Sequence, residues 1–206
     1  METFQTFTEA KGGQGLTIFD IDKTLFHTDT KVHIKKDGKI IATLEPGARK
    51  YTLKKGEEFD FGEFKSSKVF AQSASPIGRM IKKAKAIIRN ATKAGSRVIF
   101  VTARADMDDK KLFINTFKAH GLDMSKVYVE RAGNLGVEDT AKNKQTVFKK
   151  YLDSGKYSRV RMFDDWVGNL KALLSLKDNY PDITFEAWLV SRDGRISTVR
   201  WKILQT

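Results

Sequence analysis

The chain has 206 residues, 40% hydrophobic and 31% charged, a balance that builds a core and excludes a disordered chain. It has no cysteine, which excludes disulfide frameworks, cysteine nucleophiles and thiolate metal sites. Lys and Arg number 38 against 25 Asp and Glu, a formal charge of +13, and such a surface attracts polyanions, nucleic acid being the commonest.

Residues 1–15 read as a flexible leader. They lack the basic start and apolar stretch of a secretory signal, and Gly12-Gly13-Gln14-Gly15 lacks the Gly-Lys-Ser/Thr ending of a nucleotide-binding loop. No apolar run reaches the length of a membrane span, so a cytoplasmic protein with no membrane partner is expected. Leu16-Thr17-Ile18-Phe19 is predicted to be a buried strand. Residues 31–74 break the rhythm that follows: Val32 and Ile34 alternate with polar residues, Asp37-Gly38 makes a turn, and further short pieces surround Gly56 and Gly62. This is expected to be a β-rich insert. A helix is predicted from Ser75-Pro76, Ser as cap and Pro in the first turn, with Ile77, Met80, Ile81, Ala84 and Ile88 at helical spacing and Gly95 closing it. Strands are then predicted at 97–101, 126–129 and 160–163, separated by helices at 106–120 and 140–152, with a loop through Gly133 and Gly136. A helix at 166–176 and a terminal strand pair, 184–190 and 195–201 around Asp193-Gly194, complete the chain. Alternating strands and helices imply an α/β fold, a parallel sheet with helices on both faces. The expected core domain comprises 16–30 and 75–206.

Ligands of open α/β sheets bind beyond the carboxyl ends of the strands, and three signals fall there. Phe19 is followed by Asp20-Ile21-Asp22-Lys23-Thr24, Val101 by Thr102, and Phe163 by Asp164-Asp165. Asp20 and Asp22 stand two apart, so an extended backbone turns both carboxylates the same way. A second acidic pair from a neighbouring strand concentrates negative charge that a hard cation such as Mg²⁺ neutralises. An Asp at a strand end is by itself usually a helix cap; three signals in this order are harder to attribute to chance. A calcium loop is a poorer reading, because Leu25 sits where an EF-hand needs Gly.

With these residues the sequence resembles the haloacid dehalogenase superfamily of Mg²⁺-dependent phosphohydrolases, over 16–30 and about 76–190. The resemblance implies a Rossmann-like core with a small cap insert. It also implies Asp20 as nucleophile, Asp22 as general acid/base, Thr102 as the phosphate-binding hydroxyl and Lys144 as the charge-neutralising lysine. Mg²⁺ would be held by Asp20, the Asp22 backbone carbonyl, Asp164 and Asp165, with Thr24 and Arg104 as further substrate contacts. A carboxylate nucleophile divides phosphate-ester hydrolysis into two easier steps through an aspartyl-phosphate. Lys23 and Ala103 stand where Gly is frequent in the family, and Lys142 is a neighbouring candidate for the lysine role. The run Lys144-Gln145-Thr146-Val147-Phe148-Lys149 and Arg104 resemble the phosphatase domain of phage polynucleotide kinase-phosphatases.

Residues 31–85 carry fourteen basic and six acidic side chains, a surplus of eight. A basic wall there would track a phosphate backbone and leave one terminal phosphate at the nucleophile. Phe59, Phe61, Phe64 and Phe70 either stack bases or form a small core of the insert, and their spacing favours the core. The expected reaction is removal of a terminal, 3′-, phosphate from a polynucleotide. The alternatives are a phosphatase of nucleotides or other small phosphomonoesters, and a basic DNA-associated virion protein. Residues 1–10 resemble the capsid-targeting leaders of T-even-type phage internal proteins, which are cut after a Glu as at Glu9-Ala10; an ordinary chain terminus reads equally well. Oligomeric state is left open.

Overall fold

The computed structural model describes residues 14–44, 51–93, 95–135 and 139–200. The leader up to residue 13 with its Glu9-Ala10 junction, Arg49 and Lys50 of the insert, Gly136 and Trp201 lie outside them.

The first strand, β1 (Gln14–Phe19), is apolar enough to be covered on both faces: Leu16, Ile18 and Phe19 are all buried. After a tight turn the chain forms β2 (Phe26–His27), then the hairpin β3 (Val32–Lys36) and β4 (Lys39–Leu44). Asp37 and Gly38 both take positive φ, 50° and 75°, the mirror-image turn that matches strand twist and that Asp-Gly favours. β5 (Glu57–Asp60) pairs with the other side of β3, completing a three-stranded antiparallel sheet. Two short helices follow, α1 (Gly62–Lys65) and α2 (Ser67–Ser73). The insert is therefore part β and part α.

The expected helix start at Ser75-Pro76 is corrected. These two residues form β6 (Ser75–Pro76), antiparallel to β2 through Phe26–Pro76 and His27–Ser75. Ser-Pro suits a helix start, but here the chain is held extended by its partner strand. The helix, α3 (Gly78–Lys93), begins three residues later. β7 (Arg97–Thr102), α4 (Lys110–Ala119), β8 (Val127–Arg131), α5 (Thr140–Leu152), β9 (Tyr157–Asp164), α6 (Val167–Leu174), β10 (Thr184–Val190) and β11 (Ile196–Val199) follow. α4 starts at 110 rather than 106 because the carboxylate of Asp109 accepts from Leu112 N at 2.9 Å and caps it.

The main sheet has the order β11-β10-β9-β1-β7-β8, parallel throughout except for β11. Side chains alternate between its faces and meet two separate cores. On one face Phe19, Phe100 and Phe163 pack with Met80, Ala84 and Ile88 of α3 and with Phe113 and Phe117 of α4. On the other, Ile18, Ile99 and Met162 pack with Val147, Phe148 and Leu152 of α5 and with Leu170 and Leu173 of α6. From β1 the chain steps outward to β7 and β8, then returns to β9 on the opposite side of β1. The strand order thus reverses between β1 and β9, where the crevice of an open α/β sheet forms. No helix among the described residues is long and apolar enough to cross a membrane.

The four phenylalanines do not form a separate core of the insert: Phe70 is fully buried, but in the core of the main sheet against Phe26, Phe113 and Phe117. Phe59 and Phe61 are exposed. The basic surplus is also divided: Arg79, Lys82, Lys83 and Lys85, half of the eight charges, stand on α3 rather than in the insert.

Candidate active site

β1, β7 and β9 end side by side, and their last residues deliver the three signals to one place. Phe19 stands opposite both Phe100 and Phe163, and the Asp20 amide continues the ladder by donating to the Phe163 carbonyl at 2.9 Å. Asp20 therefore sits beside Asp164. α5 runs across the same end of the sheet and inserts Lys144, only 1% exposed. Its Nζ donates to Asp20 Oδ1 at 2.5 Å and to Asp164 Oδ2 at 2.9 Å. Burial opposes the charge on Lys144, but the carboxylates of Asp164 and Asp20 outweigh it and hold its pKa above the ordinary lysine value.

Asp164 is completely buried and its carboxylate is saturated by hydrogen bonds. Asn169 Nδ2 lies 3.0 and 2.9 Å from its two oxygens, and the Trp166 amide donates to Oδ1 at 2.8 Å. Asn169 is a site residue that sequence reading missed; its only signal is its place in the first turn of the helix after the acidic pair. Burial, then the Asp164 charge, pushes the pKa of Asp165 up to about 6. Burial also drives Asp20 well above the carboxylate range, with Asp164, Asp165 and Asp22 adding to the effect and Lys144 opposing it.

Carboxylate oxygens of Asp20, Asp164 and Asp165 lie within 4.8 Å of one another. Two buried cations, Lys144 and Arg104, face four carboxylates, so the cluster is short of positive charge. Oxygen-only donors with surplus negative charge are the chemistry of a hard divalent cation site. The residues fit such an ion.

Asp22 belongs to a different arrangement. Its carboxylate turns to Arg104, whose Nε donates to Oδ2 at 2.9 Å and Nη2 to Oδ1 at 2.7 Å, while the Thr28 hydroxyl donates to Oδ1 at 2.6 Å. Burial raises the proton affinity of Asp22, but the Arg104 guanidinium and the two kinds of hydrogen bond reverse it, leaving a pKa below the usual value. Arg104 is itself 1% exposed. It also donates to the Thr30 hydroxyl at 2.7 Å and lies between the rings of Phe64 and Phe70, 5.1 and 5.0 Å from their centres. The structure thus places Arg104 as the support of Asp22 rather than as an arm open to solvent. Thr28, Thr30 and Phe64 are partners that nothing in the sequence announced.

Thr102, fully buried, ends β7, and its hydroxyl accepts from the Arg104 amide at 3.1 Å. Thr24 is also fully buried, and its Oγ1 has no hydrogen-bond partner among the described residues. Lys23 takes φ +60°, a left-handed conformation that favours glycine, and it faces Asp165 closely enough to lower that residue's proton affinity. Lys142 stays outside this cluster; it is exposed, and its amide is capped by Asp139.

No family model matches the chain, and neither the curated proteins nor the solved structures compared with it gave a match.

Proposed function

We propose that the chain is a phosphomonoesterase of the haloacid dehalogenase type, with a Rossmann-like core, acting through an aspartyl-phosphate on Asp20. The observation that carries this reading is the meeting of Asp20, Asp164 and Asp165 around Lys144 at the β1/β9 crevice. Mg²⁺, held by Asp20, Asp164 and Asp165 with the Asp22 carbonyl, would supply the charge that lets a phosphate dianion approach a carboxylate.

The chain's own residues divide the remaining work. Asp20 attacks phosphorus, forming an acyl-phosphate bond as the bond to the leaving oxygen breaks. Its carboxylate must be ionised for this, and Lys144 at 2.5 Å favours that form. Asp22 gives a proton to the departing oxygen, then takes one from the water that hydrolyses the acyl-phosphate. Arg104 keeps Asp22 ionised at rest, so Asp22 first takes a proton from solvent as the arriving phosphate charge raises its proton affinity. It passes this proton to the leaving oxygen, and after the second step returns the water-derived proton to solvent. In this reading Lys144 and Thr102 serve the equatorial oxygens, which gather charge during transfer. The excess of basic charge favours a polynucleotide bearing a terminal phosphate, the 3′ end by resemblance.

The test is phosphate release from p-nitrophenyl phosphate, nucleoside monophosphates and 3′-phosphorylated oligonucleotides, with Mg²⁺ or EDTA. Mg²⁺-dependent turnover that Asp20→Asn abolishes is expected, with oligonucleotides preferred and the preference shrinking as salt rises. Turnover retained by Asp20→Asn refutes the nucleophile. Equal, salt-independent rates on all esters refute the polynucleotide.

A further inference from the structure

Beyond Arg104, the aromatic residues of the insert continue outward in a chain. Arg104 lies 5.1 Å from the centre of the Phe64 ring. Phe64 lies 6.2 Å from Phe61, and Phe61 lies 5.9 Å from Phe59. The inner ring is the more buried: Phe64 is half-buried, whereas Phe61 and Phe59 are 51% and 39% exposed. Two adjacent exposed phenylalanines cost solvation and contribute nothing to the core, so a surface that keeps them together marks a contact site.

The surrounding charges indicate what makes the contact. Two of the acids beside the rings are engaged within the insert: Asp60 pairs with Lys35 at 2.8 Å and accepts from the Gly62 amide, and Glu63 accepts from the Lys31 amide and faces His33, while the exposed Glu58 stands opposite Lys35 on β3. Lys65 and Lys68, which follow Phe64 at the end of α1 and in α2, are exposed and have no carboxylate partner among the described residues. Exposed aromatic faces followed by uncommitted cations on the next two helices suit an anionic chain that carries flat bases.

We propose that Phe59, Phe61 and Phe64 form a stacking track for the bases of a single-stranded nucleic-acid end, its inner ring resting against the buried Arg104 that supports Asp22. Lys65 and Lys68 hold the phosphates that run alongside. The track rests on the phosphotransfer reading for its role in catalysis, but its binding is separable from the chemistry. Selectivity would then come from strand length and not from base identity, because every base offers a face to a ring.

Two measurements test the track. The first is fluorescence anisotropy of a labelled, unphosphorylated single-stranded oligonucleotide in EDTA, which reads the track with no reaction. Phe61→Ala is expected to weaken binding roughly five- to 150-fold, the range of one lost stacked base, and Phe61→Trp to preserve it. The second is kcat/KM on 3′-phosphorylated strands of increasing length against p-nitrophenyl phosphate. Phe61→Ala is expected to lose the gain with length through KM, with the small ester changed less than twofold.

Unaltered oligonucleotide affinity in Phe61→Ala overturns the track, even if the enzyme is active. Absent turnover with a Phe61-dependent affinity overturns the reaction and leaves the track standing. A concentration-dependent dimer that Phe61→Ala dissolves, with no effect on oligonucleotide, shows that the rings meet a second copy of the chain instead.

Discussion

Asp165 offers the sharpest test of the acidic cluster. Its carboxyl has a pKa of about 6 in the folded, cation-free protein, against an ordinary 3.8, because of burial and the charge of Asp164. The folded state thus binds this proton more tightly than the unfolded chain. Below pH 4 both states are protonated and the group is neutral in effect; as pH rises from about 4 to about 6, stability is lost. Two units at 1.36 kcal/mol each give a penalty of about 3 kcal/mol above pH 7. Asp165→Asn keeps the shape and removes the charge, so in EDTA it should match the wild type near pH 4 and exceed it by about 3 kcal/mol at pH 7.5. With a urea m-value of about 2 kcal/mol/M, this is a midpoint shift of roughly 1.5 M in urea denaturation. Asp22 does not obscure the result, since its depressed pKa acts in the opposite sense and only as pH falls below the ordinary value. Saturating Mg²⁺ should narrow or invert the gap, because the wild type gains binding energy that the variant loses. A gap independent of pH, or a wild type that gains stability through this window in EDTA, would refute the reasoning.

Lys144→Met leaves Asp20 and Asp164 buried without their shared cation, and a loss of about 3–5 kcal/mol is expected; thermal unfolding checks it, and an unchanged midpoint contradicts the pairing. Arg104→Lys keeps the charge but not the fork that holds Asp22 and Thr30, and differential scanning calorimetry should show a midpoint lower by roughly 4–10 °C. A Cβ on Gly133 would lie 2.3 Å from the Ala103 carbonyl oxygen and 2.7 Å from the Ala105 amide. Gly133→Ala must therefore displace the backbone that carries Arg104, and steady-state assays should show kcat falling more than KM changes.

The strands that carry the site were legible because each is an apolar run ending abruptly in Asp or Thr, and their parallel order followed from the intervening helices. The limits of α5 and β10 agree with expectation residue for residue, since Asp139 caps one and alternation defines the other. Ser75-Pro76 misled because its chemistry fits a helix start and an edge bridge alike, and only the distant partner β2 decides between them. α1 and α2, four and seven residues long, are too short to show a helical period. Within the site, position at strand ends pointed to Asp20, Asp164 and Asp165, and Lys144 came from the family resemblance of its helix, whereas the commitment of Arg104 to Asp22 spans 82 residues and leaves no local trace. The same distance hid the contrast between Phe70, which α4 covers, and Phe61, which stays half exposed.

The two-residue strands β2 and β6 have a consequence for how this architecture can vary. Because they lie side by side, the chain leaves the core and re-enters it at a single point, like a loop drawn through a ring. The length and content of 28–74 therefore place no demand on the distance between β1 and β7. The hairpin β3–β4 can be lengthened, shortened or exchanged without disturbing the register that aligns Phe19 with Phe100 and Phe163. α2 sets the boundary of that freedom: Phe70 fills the space beside Phe26, Phe113 and Phe117, so an excision that removes it would open a hole in the core. A transplantable module thus begins after Thr30 and stops before Phe64, whose ring and carbonyl meet Arg104, narrower than the insert itself.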